Sequence, residues 1–414
     1  MSAKPTSEVP VYIDALHLEN FRCFDSLDLS FSHDSHLPGR WTCIAGINGA
    51  GKSSILQAVC LALLGYPAAV ELGSERLKRM RKNGAPRASI EAILSTAAGL
   101  RIHRRMGIGP GALNRSPLSA FELRGSSLLD GDAYIGAIEP ASDELPYVLA
   151  CYGATRNLSS RTDDRYEGIG IGVRRQMTLF DPLTQLAGAE VLLRDKGESG
   201  VFWKLFEALI RELFDIRLTY DLRPYFSEGG KRKVEAIDLP DGFRASLAWL
   251  ADLCSTWCEK QGDAARSDVP SDMQAIVLID EIDLHLHASL QRSLVPRLRK
   301  ALPKVQWIVT THSPLVLANF DRSEIIALDK DAEGNIRQLD RQILGFTSDQ
   351  ICEWLLETPP SGEAIEEMLE KNGATGSPTD DEVAQLLGAS PTVNDAEARE
   401  RLERVKGAIA RLKA

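Results

Sequence analysis

Two short stretches carry residue types suited to phosphate chemistry. The first is "GINGAGKSS", Gly46–Ser54, in which Gly46, Gly51, Lys52 and Ser53 fit the pattern G-x-x-x-x-G-K-[ST]. A triphosphate is highly anionic, and successive backbone N–H groups in a glycine-rich turn can surround it where side chains would collide. Gly46, Asn48, Gly49, Ala50, Gly51, Lys52, Ser53 and Ser54 are the residues expected to line that cradle. Lys52 would reach the β- and γ-phosphates, the Ser53 hydroxyl would bind Mg2+, and the helix that follows would add its positive end.

The second stretch is "AIVLIDEIDLHLH", Ala275–His287. An apolar run ending in an acid reads as a buried strand whose Asp280 emerges at the carboxyl edge of a sheet, where it can hold Mg2+ together with Ser53. Glu281, next along, is placed to polarise an attacking water as general base. "WIVTTHSP", Trp307–Pro314, repeats the design, with His312 leaving another apolar strand toward a γ-phosphate. Glu281, His312 and Lys52 are thus the expected catalytic residues, and ATP and Mg2+ the expected substrate and cofactor.

Such side chains need strands that end at one edge. "GRWTCIAG" is a short strand leading into the glycine loop, and "KSSILQAVCLALLG", Lys52–Gly65, has helical periodicity that stops before Pro67. Strand, glycine loop and helix form the context that a phosphate-binding loop requires. "VYIDALHLENFRCFDSLDLSF", Val11–Phe31, alternates in two halves about "NFRCF" and predicts an antiparallel pair. "RASIEAILS" and "GLRIHRRM" predict a second hairpin, and "IRLTYDLRPYF" with "KVEAIDL" a third. "LPYVLACYGATRN", "AIVLID" and "VQWIVTTH" are buried strands, while "SLAWLADLCSTWCEK" and "LQRSLVPRLRKALP" are helices. β-α-β order of this kind argues for a largely parallel sheet covered by helices. The fold expected is α/β, with a mainly parallel core sheet, an antiparallel N-terminal β-subdomain, a helical insertion over about 176–250 and a head spanning 1–345. The acidic, helix-patterned stretch 346–414, interrupted by "ETPPSG" and "NGATGSPTDD", reads as a small helical appendage.

The bulk properties agree with a globular chain. Of 414 residues, 44% are hydrophobic and 26% charged, with a net charge of -10. That balance argues against an all-over basic surface. No apolar run approaches the roughly 18 residues of a membrane span, and "MSAKPTSEVP" lacks the apolar centre of a secretory signal, so a cytoplasmic protein without a membrane partner is expected. The 7 cysteines are scattered among apolar neighbours and predict reduced core thiols, Cys254 and Cys258 on one helix among them.

The order "GINGAGKS", "LPDGFRASLAWLADL", "LIDEIDLHLH", "VTTHSP" resembles the ABC-type ATPases of the SMC, RecF and OLD superfamily over about Val11–Gln342. In that family two heads sandwich ATP, and each P-loop is completed by the signature segment of the other subunit. Carried over, the resemblance implies a homodimer or higher homo-oligomer. It makes Leu239–Phe243 the signature, with Pro240, Asp241 and Gly242 facing the partner's nucleotide, His285–Ser289 the D-loop region and His312 the switch. The usual L-S-G-G-Q is "LPDGF" here, so the serine hydroxyl is replaced by Pro240 and a negative charge is added at Asp241. Proline fits a helix's first turn, so the helix survives while the hydroxyl contact does not. "CYGATRN" falls where the family has its Q-loop but holds no glutamine, and Arg22, Arg156 and Arg165 could each approach nucleotide or partner.

There is no coiled-coil heptad run as in SMC proteins, and no acidic cluster of Toprim type follows the last hairpin as in OLD nucleases. The chain therefore most resembles stand-alone ATPases of bacterial anti-phage systems, such as the ATPase subunit of Septu and its retron-linked relatives. That resemblance implies a nucleotide-dependent dimer switch that controls a separate effector, often a nuclease. Two other readings stand beside it. The basic stretch Arg76–Arg105 suits a RecF-like DNA-binding repair ATPase. Pro240 and Asp241 suit a scaffold that binds ATP with little turnover.

Overall fold

A computed structural model describes residues 11–31, 40–64, 72, 76–96, 101–109, 147–159, 175–197, 200–228, 233–261, 267–330 and 335–338. All lie within Met1–Gln338, the first of two units into which the chain divides, and the appendage expected over 346–414 falls outside them.

The core is a six-stranded sheet in the order β14-β13-β3-β12-β11-β6. Its strands are β3 (Trp41–Gly46), β6 (Leu149–Tyr152), β11 (Ile276–Ile279), β12 (Gln306–Thr310), β13 (Ile325–Lys330) and β14 (Ile336–Gln338). The first five are parallel to their neighbours and only β14 runs antiparallel, closing a hairpin with β13. Every residue of β3, β6, β11 and β12 is buried, which is why these strands read as unbroken apolar runs rather than alternating ones. Helix α1 (Lys52–Leu64) follows β3 directly and is apolar almost all round, as a helix packed between two sheets must be.

The second sheet is antiparallel, in the order β2-β1-β4-β5, built from β1 (Val11–Phe21), β2 (Phe24–Ser30), β4 (Ala88–Thr96) and β5 (Arg101–Ile108). Its buried side joins the core through Ile13, Leu16, Leu18, Phe21, Phe24 and Ile90. The two sheets are also stitched by Gln306 of β12. Its side chain accepts from the Ile13 N–H (2.8 Å) and donates to the Ile13 carbonyl (2.8 Å), at the register break of β1.

After β6 come β7 (Leu158–Ser159) and β8 (Leu186–Ala187), a short parallel pair with the 3-10 turn Arg175–Leu179 between them in the chain, then α2 (Ala189–Lys196), α3 (Val201–Phe214) and the hairpin β9 (Ile216–Asp221) and β10 (Arg223–Glu228). That hairpin differs from expectation. Both its strands start within "IRLTYDLRPYF", turning at Leu222 in a left-handed conformation (φ 60), and the second runs on to Glu228. "KVEAIDL" contributes only a single bridge from Val234 to Phe226 and the 3-10 turn Ala236–Asp238. The long helix α4 (Asp241–Gln261) lies after it, and α5 (Ala288–Ala301) connects β11 to β12. Cys254 and Cys258 are buried on α4, as core thiols should be.

Three indoles link these layers. Trp41 and Trp307, register partners on β3 and β12, stack at 5.0 Å, and Trp249 of α4 meets Trp307 edge-on at 6.2 Å. Among the described residues no helix is long and apolar enough to cross a membrane.

Candidate functional site

The glycine loop leaves β3 at the sheet edge. Gly49 (φ 76) and Gly51 (φ 81) hold left-handed conformations that a side chain would strain. At Gly51 the packing forbids one as well: a Cβ would lie 2.5 Å from the Phe24 ring and 2.6 Å from Cys23 Sγ. The "NFRCF" bend of the antiparallel sheet therefore presses on the loop. Lys52 is 6% exposed and folds back, its Nζ donating to the carbonyls of Gly46 (2.8 Å) and Ile47 (3.0 Å). Burial pulls its pKa down to about 8, against the opposing attraction of Asp280, Glu281 and Asp283. Asn48, Gly49 and Ser53 are exposed, Ser54 is half-buried and Ala50 is buried.

Asp280 follows β11 and is buried. Because β11 and β12 run parallel with Ile279 opposite Val309, Thr310 comes level with it. The Thr310 hydroxyl donates to Asp280 Oδ1 (2.6 Å) and accepts from the Glu281 N–H (2.7 Å). Glu281 itself is left-handed at φ 49. Such a conformation costs a non-glycine residue about 1–3 kcal/mol and persists only where its surroundings impose it. Its carboxyl pKa is raised, first by burial and then by Asp280 and Asp283, with Arg156 and Lys52 opposing.

His312 is half-buried one strand away, and burial together with the charge of Lys52 lowers its pKa, while Asp283 and Asp280 pull the other way. A neutral imidazole still offers one N–H. The loop around it is fastened. Thr311 Oγ1 donates to Asp283 and accepts the Ser313 N–H (2.9 Å), and the Ser313 hydroxyl donates to Gln291 of α5 (2.6 Å). Lys52, Asp280, Glu281 and His312, predicted from separate stretches, thus share one electrostatic neighbourhood at the carboxyl ends of β3, β11 and β12, where open α/β sheets bind ligands.

Pro240–Gly242 opens α4 against the loop that follows Glu281. The Pro240 carbonyl accepts from the Phe243 and Arg244 N–H groups (2.9 and 3.0 Å), so proline does begin the helix. Pro240 is exposed and the Asp241 side chain is 95% exposed, with Arg244 3.3 Å away. Gly242 is buried against the loop after β11. A Cβ there would meet the His285 carbonyl oxygen at 2.0 Å, and His285 is itself left-handed at φ 63.

Of the arginines left open, Arg156 reaches the acidic strand end. It is buried, and its guanidinium donates to the main-chain carbonyls of Asp280 (3.3 Å) and Glu281. Arg22 instead donates to Gln57 of α1 (3.2 Å), and Arg165 lies outside the described residues. In the basic stretch, Arg76 pairs with Asp181, Lys82 with Asp25 and Arg105 with Glu91, while Arg104 donates to the Leu63 carbonyl (2.5 Å). Much of that charge is engaged within the chain.

Sequence reasoning missed Thr310 and Lys330. The first was visible only as one threonine of "VTTH". The second ends β13 so close to the glycine loop that a Cβ at Gly49 would stand 3.5 Å from its Nζ. Neither carries a motif: Thr310 meets Asp280 through sheet register, and Lys330 nears the loop as the end of the neighbouring strand.

The donor set suits the expected ligands. A buried ammonium satisfied only by carbonyls has a stronger partner in a phosphate, and the hydroxyl of Ser53 with the carboxylate of Asp280 is an all-oxygen pair of the kind that Mg2+ takes.

Comparison with known proteins finds similarity to ATPase families. A family model described as "AAA domain, putative AbiEii toxin, Type IV TA system" matches residues 150–318, and one described as "AAA domain" matches residues 15–105. Septu protein PtuA of Bacillus mycoides is 27% identical over 330 residues, 78% of this chain and 41% of that protein. Retron Ec83 probable ATPase of Escherichia coli is 34% identical over 161 residues, 38% of this chain and 29% of that protein. The chain therefore aligns with less than half the length of either relative. Among solved structures, an SMC head bound to the C-winged helix domain of ScpA aligns at 18% identity and a TM-score of 0.48, covering 80% of this chain and 98% of that one.

Proposed function

We propose that the chain is a P-loop ATPase of the SMC, RecF and OLD type that binds and hydrolyses ATP with Mg2+, acting as a nucleotide-dependent homodimer that restrains or releases a separate effector in prokaryotic antiviral defence. A nuclease is the effector class we favour. The observation that carries the ATPase reading is the convergence of Lys52, Asp280, Glu281 and His312 at one sheet edge beside a left-handed glycine loop.

In this reading Ser53 and Asp280 hold Mg2+, which when bound offsets the charge of the β- and γ-phosphates. Gly46–Ser54 surround the phosphates with N–H groups, and Lys52 exchanges its carbonyl partners for phosphate oxygens. Glu281 accepts a proton from the attacking water, the pKa that burial raises making it a stronger base than an ordinary carboxylate. His312 donates its N–H toward the γ-phosphate. Pro240, Asp241 and Gly242 cap the nucleotide of a second copy, the exposure of Pro240 and Asp241 leaving them free to do so. The similarity to a Septu protein and a retron-linked ATPase supports the defence role.

The test is the Glu281→Gln variant, compared with wild type and Lys52→Ala for hydrolysis and for native mass with and without Mg-ATP. Loss of about a hundredfold or more in rate with ATP affinity kept fits a general base, and an ATP-dependent doubling of mass fits the sandwich. A wild-type rate no higher than that of Glu281→Gln ends the ATPase reading; a mass unchanged by ATP ends the switch.

A further inference from the structure

We infer that Arg156 is a positioning residue of the hydrolytic site, whose guanidinium holds the main chain of Asp280 and Glu281 so that the Glu281 carboxyl stays aimed at the water. The inference rests on the ATPase reading above and extends it to a residue outside the phosphate-binding and acidic motifs.

Arg156 is 5% exposed and left-handed at φ 37, in a segment fixed on both sides. Before it, the Tyr152 hydroxyl donates to the buried carboxylate of Asp252 (2.9 Å), and a Cβ at Gly153 would strike the Thr178 carbonyl at 2.0 Å. After it, the Asn157 amide donates to the Pro182 carbonyl (3.0 Å). Backbone this constrained has little freedom to aim a side chain elsewhere. One guanidinium nitrogen of Arg156 donates to both the Asp280 and the Glu281 carbonyl.

The placement has a specific consequence. Glu281 holds a left-handed backbone that its own side chain disfavours, and its N–H is already fixed by Thr310. A donor on its carbonyl clamps the peptide on the far side of the same residue. Thr310 and Arg156 therefore grip Glu281 from its two peptide units, one from β12 and one from the segment after β6. Burial lowers the guanidinium's pKa to about 10, against the attraction of Asp280, Asp283 and Glu281, so it still carries its charge near neutrality. A lysine would bring a charge on one nitrogen only, whereas the guanidinium donates through Nε to the Ala154 carbonyl (3.5 Å) and through a terminal nitrogen to the Asp280 and Glu281 carbonyls.

The experiment uses the full chain with Arg156→Ala and Arg156→Lys, alongside wild type and Lys52→Ala. It measures steady-state ATP hydrolysis, equilibrium ATP binding and Tm, with and without added guanidinium. We expect both variants to lose about a hundredfold in kcat while ATP affinity stays within about threefold. Millimolar guanidinium should restore part of the turnover of Arg156→Ala and none of that of Glu281→Gln. Retained kcat in both variants overturns the inference. So does a parallel fall of kcat, ATP affinity and Tm, which would mark a merely structural arginine. If Arg156→Ala does not fold, Arg156→Lys decides, and full activity in it refutes the need for a guanidinium. A wild type no faster than Lys52→Ala removes the ATPase reading itself and this inference with it.

Discussion

The α-carbon of Gly242 abuts the main-chain carbonyl of His285, leaving only 2.0 Å for a Cβ that any other residue would bring. The first turn of α4 and the loop that carries Glu281 are therefore in backbone contact within one chain. Gly242→Ala has to move one of them. We expect a loss of about 1–3 kcal/mol, typical of an overpacked site, together with a fall in ATP turnover as the loop shifts. Thermal denaturation and a hydrolysis assay check both; a variant with wild-type Tm and rate would show that the contact yields freely.

Lys52 gives a pH-dependent signature. Its folded pKa is lowered from 10.5 to about 8 by burial, so between those values the unfolded chain binds more protons than the folded one. Stability should then rise with pH across that window, and Lys52→Met should flatten the rise. A phosphate beside the ammonium pushes its pKa back up, so ATP binding above pH 8 should take up a proton. Calorimetry in buffers of different ionisation enthalpy measures that uptake; none at pH 9 would mean that the ammonium does not meet the phosphates.

Much of the molecule could be read from the chain because its strongest signals are local. Unbroken apolar runs such as "AIVLID" mark strands buried on both faces, and the glycine loop has a spacing that few other structures need. What escaped depends on register or on backbone conformation. Thr310 matters because β12 lies parallel to β11 and brings it level with Asp280, a relation absent from either strand alone. The turn at Leu222 was hidden because a leucine in a left-handed turn violates the usual preference for Gly, Asn or Asp. Arg156 looked like one of several arginines until burial and two carbonyls set it apart.

Thr310 links the two acids, accepting from the Glu281 N–H and donating to Asp280. Thr310→Val keeps the shape and removes both bonds. We expect a destabilisation of about 1–3 kcal/mol from the stranded groups and a drop in kcat greater than any change in ATP affinity. Wild-type kcat in a folded variant would show that the hydroxyl serves stability alone.

Gln306 is fully buried and makes a two-way bond to Ile13, 293 residues away. Gln306→Leu leaves a buried N–H and a buried carbonyl without their partner, at a cost of about 1–3 kcal/mol each. Chemical denaturation should show the loss. A stability change below about 0.5 kcal/mol would mean that the register break in β1 relaxes to pair these groups another way.

The stacked pair Trp41 and Trp307, with Trp249 edge-on to it, places one indole on the strand that feeds the glycine loop, one on the strand that feeds His312 and one on the helix behind Pro240–Gly242. Indoles this close share their electronic transitions, so the three behave as one chromophore whose near-ultraviolet circular dichroism depends on their mutual angles. The molecule thus carries a built-in optical gauge: a helix tilting against the sheet would change the size of that ultraviolet dichroism with no label attached.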